Sequence, residues 1–167
     1  MLPMLFAFPV LGLAIMLQTA IVSRINLLAG GADLMLLILT AWALQERVTT
    51  AWHWAALAGF LTASISGLPW FVPVIGYLLV VAGARLLQRR IWQAPLLAMF
   101  AVTFAGTLAM HVLSLIVLRL SGVPLPLEDS FTLITLPSVL LNLILAVPVH
   151  TLIRDLAEWL HPVSVEV

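Results

Sequence analysis

Apolar residues dominate this chain so fully that its few polar positions act as punctuation, and they predict the elements. Met1 to Ser23 is free of charge and lacks the basic stretch that precedes the apolar core of a signal peptide, so it reads as a retained first span, 2–23. A polar break at Arg24 and Asn26 leads through Gly30-Gly31-Ala32-Asp33 to the apolar run Leu34–Leu44, which ends at Gln45-Glu46-Arg47. This predicts a second span, 33–45, with Asp33 near its start. From Val48 to Ala84 no charge appears. That is too much chain for one helix rising about 1.5 Å per residue across a bilayer, and Gly67, Pro69 and Pro73 interrupt it, so it divides into spans 51–67 and 69–87. Arg85, Arg89 and Arg90 close the fourth, and Pro95 opens a fifth, 95–118. Beyond the polar connection Arg119–Ser130 a sixth span covers 131–153, and the tail Arg154–Leu160 either continues it or lies on the membrane surface.

Composition agrees with that pattern. Of 167 residues 63% are hydrophobic and 8% charged, with a mean hydropathy of +1.20 and no cysteine. A soluble domain carries about 25% charged residues, so the expected fold class is an all-α integral membrane protein, one six-helix transmembrane bundle over 1–167. The formal charge is zero, which leaves no basic stripe for a nucleic acid partner. Six spans place both termini on one side of the bilayer. Arg47, Arg85, Arg89, Arg90 and Arg154 share that side and only Arg24 and Arg119 fall opposite, so the positive-inside rule puts both termini in the cytoplasm.

Helices in lipid gain little from burying apolar side chains against each other; small residues that let backbones approach and polar residues that bond across helices hold them together. The third span has such a face, with Ala55, Gly59, Ala63 and Gly67 at helical spacing, suited to close packing within the bundle or against a partner's span. The fifth carries a polar strip, Thr103, Thr107, His111 and Ser114. There His111 is either a neutral ring bonded to a neighbouring helix or a functional group, since ionisable residues at membrane depth are functional candidates. Asp33 is either a helix cap or the partner of Arg24 or Arg119. In the sixth span Pro137 and Pro148 each free a carbonyl four residues earlier, at Leu133 and Ile144, and Asn142 between them can bond to a neighbour, which predicts a twice-kinked helix with one polar pin.

No catalytic residue, cofactor or metal set is assigned. His53 and His111 lack further ligands at suitable spacing, and His150, Arg154, Glu158 and His161 share a face that reads as a solvated helix end. Ser64-Ile65-Ser66-Gly67 with His111 resembles the serine and histidine of rhomboid intramembrane proteases, which makes a serine protease a minor alternative.

Taken in order, Leu17-Gln18, Asp33-Leu34, Gly59-Phe60, Gly76-Tyr77 and the series Pro137, Asn142, Pro148 resemble the rod shape-determining protein MreD family over Leu17 to about Pro162. Ala32 stands where that family often has proline, and Gly67 where many members carry an acid. The resemblance implies a bacterial inner-membrane protein without catalytic activity, with a fold similar to the substrate-binding subunits of energy-coupling-factor transporters. Its implied role is a scaffold that binds MreC and supports peptidoglycan synthesis and cell shape, in a larger assembly with RodA, a class B penicillin-binding protein and MreB. The partner-binding candidates are then Gly59, Ala63, Gly67, Pro137, Asn142 and Pro148 on the packing helices, with Gln18, Arg24, Asp33 and Arg119 at the outer end. Pinning within the monomer is an equal reading of those last four. A vitamin-binding subunit of an energy-coupling-factor transporter is the alternative function.

Overall fold

A computed structural model describes residues 2–89 and 94–160, so Arg90, His161 and Pro162 lie outside the described residues. The chain is helical nearly throughout: α1 (Leu2–Leu5), α2 (Ala7–Ala20), α3 (Leu34–Ala43), α4 (Ala51–Ile65), α5 (Phe71–Gln88), α6 (Pro95–Leu120), the short turn α7 (Leu127–Asp129) and α8 (Leu136–Leu160). Four helical segments are long and apolar enough to cross a membrane: Ala7–Arg24, Phe71–Gln88, Pro95–Leu120 and Leu127–Leu160. The expected second and third spans are shorter, at 10 residues for α3 and 15 for α4. The tail beyond Ile153 continues the last helix to Leu160.

α3 is the hub. It touches α2, α4, α5, α6 and α8, and every residue from Met35 to Ala43 is buried. A helix of this length reaches only about 15 Å, half the hydrocarbon thickness of a bilayer. The chain before it is extended. After α2, a 3₁₀ turn (Val22–Arg24) leads to a two-residue antiparallel pair, β1 (Asn26–Leu27) with β2 (Gly30–Gly31), a departure from an all-helical expectation. The turn between them places Leu28 at φ 56, an uncommon conformation for a bulky residue.

The outer packing follows the glycine and alanine pattern. A Cβ on Gly59 would lie 2.6 Å from Val74 Cα, so this glycine lets α4 lie against the backbone of α5. Gly76 of α5 accommodates Met110 of α6, and Gly106 of α6 accommodates Val80 of α5. Trp42 and Trp54 stack with ring centroids 4.3 Å apart, both fully buried, and join α3 to α4. Between α5 and the α3–α4 loop, Arg85 donates to the carbonyls of Gln45 and Val48 and to Gln88 Oε1.

Candidate functional site

The extended segment before α3 descends along the first turns of α8. Ala29 N donates to the Leu133 carbonyl at 3.1 Å, Gly31 N to Ser138 Oγ at 3.1 Å, and Asp33 N to Asn142 Oδ1 at 2.7 Å. Two residues of extended chain advance about 6.7 Å, as do four to five residues of helix. Alternate N–H groups therefore meet successive turns of α8. Gly30 fits only as glycine, since a Cβ there would lie 2.5 Å from the Ile134 carbonyl and 2.8 Å from Pro137 Cβ.

Pro137 explains the first of these bonds. Lacking an N–H, it cannot bond back to Leu133; α8 is preceded by a π-helical stretch, Ser130–Thr135, and the freed Leu133 carbonyl takes Ala29 N instead. From the other flank Gln18 of α2 brackets the segment, donating from Nε2 to the Ala32 carbonyl at 2.8 Å and accepting Leu34 N on Oε1 at 2.8 Å. Backbone polar groups without water must find protein partners at membrane depth. Gln18, Ser138 and Asn142 provide them.

Asp33 caps α3, accepting Leu36 N at 2.9 Å. Tyr77 of α5 donates its hydroxyl toward the same carboxylate, 3.1 Å from each oxygen, and accepts from Thr62 Oγ1 of α4 at 3.4 Å. Asn142 in turn donates to Thr107 Oγ1 of α6 at 2.9 Å, and Thr107 donates to the Thr103 carbonyl at 2.7 Å. One polar cluster thus joins α2, α3, α4, α5, α6 and α8. Thr107 stands near the middle of α6, so the α3 N-terminus sits deep in the bundle rather than at its end. Beside the cluster the last turns of α2 and α4 leave a crevice of about 290 Å³, lined by Gln18, Asp33, Thr62, Ser66 and Tyr77 among others. Comparison with protein-family models, curated proteins and solved structures returns no match.

The candidate residues divide between this cluster and other places. Gln18, Asp33, Pro137 and Asn142 come together, and of the two readings of Asp33 the cap holds. Arg24 and Arg119 do not join them: Arg24 is exposed, Arg119 folds back onto the Leu125 carbonyl, and neither pairs with Asp33. The close approach at Gly59 is filled by α5 of the same chain. Gly67 falls beyond α4, which ends at Ile65, and a Cβ there would touch nothing within 4 Å, so it contributes no helix packing. Ala63 is partly exposed on α4, and Pro148 is exposed inside α8.

His111 bonds through Nδ1 to Thr135 Oγ1 of the π-helical stretch at 3.1 Å, the neighbouring-helix arrangement. Ser66 lines the Asp33 crevice, which His111 does not line. Among the described residues no group of three or more histidines and acids is placed to hold a metal. The pattern alone did not reveal Tyr77, Ser138 and Thr107 as members of the cluster. Tyr77 is the only tyrosine of the chain, and Ser138 follows directly on Pro137.

Proposed function

We propose that this chain is a non-catalytic bacterial inner-membrane scaffold of the cell-elongation machinery that seats the transmembrane helix of an MreC-like partner. The observation that carries the reading is the convergence of Gln18, Asp33, Tyr77, Pro137 and Asn142. These residues come from four of the ordered features behind the resemblance to the MreD family; Gln18, Asp33, Tyr77 and Asn142 meet in one hydrogen-bonded cluster, and Pro137 lies against Gly30 beside it.

In this reading the chain crosses the bilayer six times, the second crossing made of extended residues 30–33 and then α3, together about 28 Å. Exposed Trp70 lies at the hairpin end, and exposed Trp52 and Trp159 at the end carrying Arg47, Arg85, Arg89 and Arg154. Tryptophans at both ends suit the two interfaces of a bilayer, and the arginines put that end and both termini in the cytoplasm. The partner's helix lies beside α2 and α4 at the Asp33 crevice, along the wall that Gln18, Thr62, Ile65 and Ser66 form.

Crosslinking of the tagged protein in its native membrane, followed by mass spectrometry of attached chains, tests this. An MreC-like single-span protein is the expected product. The second reading, a vitamin-binding subunit, draws on the same polar crevice, but about 290 Å³ is at the lower limit for small-molecule pockets. Recovery of an ATPase with a coupling subunit, and of a vitamin retained through purification, would favour it over the scaffold.

A further inference from the structure

At the end opposite the hairpin, the α3–α4 loop, the start of α6 and the last turns of α8 border an open cavity of about 760 Å³. Its wall carries both signs of charge, Arg47 and Arg154 with Glu46 and Glu158. His150 also lines it; the residue is 5% exposed, and its buried Nδ1 has no hydrogen-bond partner. A buried ring nitrogen left unpaired is unfavourable and points to a missing donor or acceptor. The apolar part of the wall includes Leu96 of α6 and Val147 of α8, both exposed, and the cavity is about half open. The cavity therefore adjoins the surface that faces acyl chains in a membrane.

We propose that this cavity binds the headgroup of a phospholipid carrying a phosphate next to a primary ammonium, a phosphoethanolamine headgroup, with the acyl chains leaving past Leu96 and Val147. The mixed charge decides the class. A purely anionic headgroup would meet Glu46 and Glu158, and an uncharged one would use neither arginine. Arg47, Arg154 and His150 are suited to the phosphate oxygens, and the two glutamates to an ammonium that donates hydrogen bonds. α6 begins here with Pro95 in its first turn and no side-chain cap on Ala94, which leaves first-turn N–H groups open toward negative charge. Arg154 contacts Asp155 at 3.1 Å and Glu158 at 3.8 Å with its side chain 50% exposed, so these contacts are weak enough to exchange for a phosphate. The proposal rests on the membrane placement alone and not on any partner protein.

The test offers delipidated full-length protein matched lipids with ethanolamine, glycerol or choline headgroups, and separately the water-soluble glycerophosphoethanolamine, with retention read by native mass spectrometry. The ethanolamine lipid is expected to be retained over the other two. Arg154→Gln is expected to weaken it about tenfold, the effect of one charge-assisted hydrogen bond. Glu158→Gln is expected to keep binding but lose the preference over the choline lipid, whose quaternary ammonium donates no hydrogen bond. Both side chains are largely exposed, so unchanged thermal midpoints are the control for folding. Equal retention of all three lipids, preference for the glycerol lipid, or an unaffected Arg154→Gln variant would overturn the proposal. Soluble headgroup binding as tightly as the lipid would overturn the assignment to a membrane lipid.

Discussion

Asn142 is the residue on which most of the cluster turns, because its amide accepts from a backbone N–H on one side and donates to a hydroxyl on the other. Asn142→Leu leaves Asp33 N–H without a partner deep in the bundle, and is expected to cost about 1–3 kcal/mol, the penalty for an unpaired buried polar group. A lowered thermal midpoint in detergent checks this. Tyr77→Phe removes only the hydroxyl over the Asp33 carboxylate, so the cap from Leu36 N survives and the loss is expected to be smaller. Equal or greater loss for Tyr77→Phe would contradict that ranking. Gly30→Ala and Gly67→Leu form a contrasting pair. The first drives a methyl into the Ile134 carbonyl, while the second meets open space, so only Gly30→Ala is expected to lower yield and melting temperature. Asp33 as a cap was legible in the sequence, since an acid immediately before an apolar helix has that use. Its meeting with Tyr77 was not, because nothing in the local pattern relates positions that far apart.

Among the elements, the one that departs most from expectation is the second span. Its apolar run, Leu34–Leu44, sets where the helix lies, and the glycines before it mark where helix is lost. The chain before α3 stays extended because α8 and the π-helical stretch before it offer its N–H groups acceptors at matching intervals, starting with the carbonyl that Pro137 leaves open. Pro137→Ala restores an N–H able to compete for the Leu133 carbonyl. Faster hydrogen exchange at Ala29 and neighbouring amides is the expected result, and unchanged protection would refute the coupling between proline and hairpin. The third span shows the other side of the small-residue rule. Of the expected face Ala55 is buried and Gly59 meets α5, while Ala63 is partly exposed and Gly67 lies beyond the helix. Gly59→Leu is accordingly expected to destabilise the isolated protein, not merely its association, as measured by size-exclusion chromatography in detergent.

At the scale of the whole molecule, the bundle is built around a helix that is itself too short to cross a membrane, and a cluster of side chains from all its neighbours holds that helix in place. The absence of cysteine makes topology directly measurable, since single cysteines can be introduced without background labelling. With six crossings, cysteines at Arg24 and Gly122 are expected to react with an impermeant thiol reagent from outside intact cells, and cysteines at Arg47 and Glu158 only after the membrane is opened. Labelling of all four from one side would rule out the six-crossing arrangement.

The sequence by itself determined the membrane character, the approximate positions of the helices and the need of the Pro137-freed carbonyl for a donor, and it offered the cap on α3 as one of two readings of Asp33. These follow from composition, from the length of apolar runs and from backbone chemistry, which act locally. Only the tertiary structure decided which donor that carbonyl receives, that the chain before α3 is extended, and that Gln18, Tyr77, Thr107 and Asn142 belong to one cluster while Arg24 and Arg119 stand apart. Those outcomes depend on which helices are neighbours and at what depth their side chains meet. Hydrophobic periodicity carries little of that information in a chain that is apolar on nearly every face.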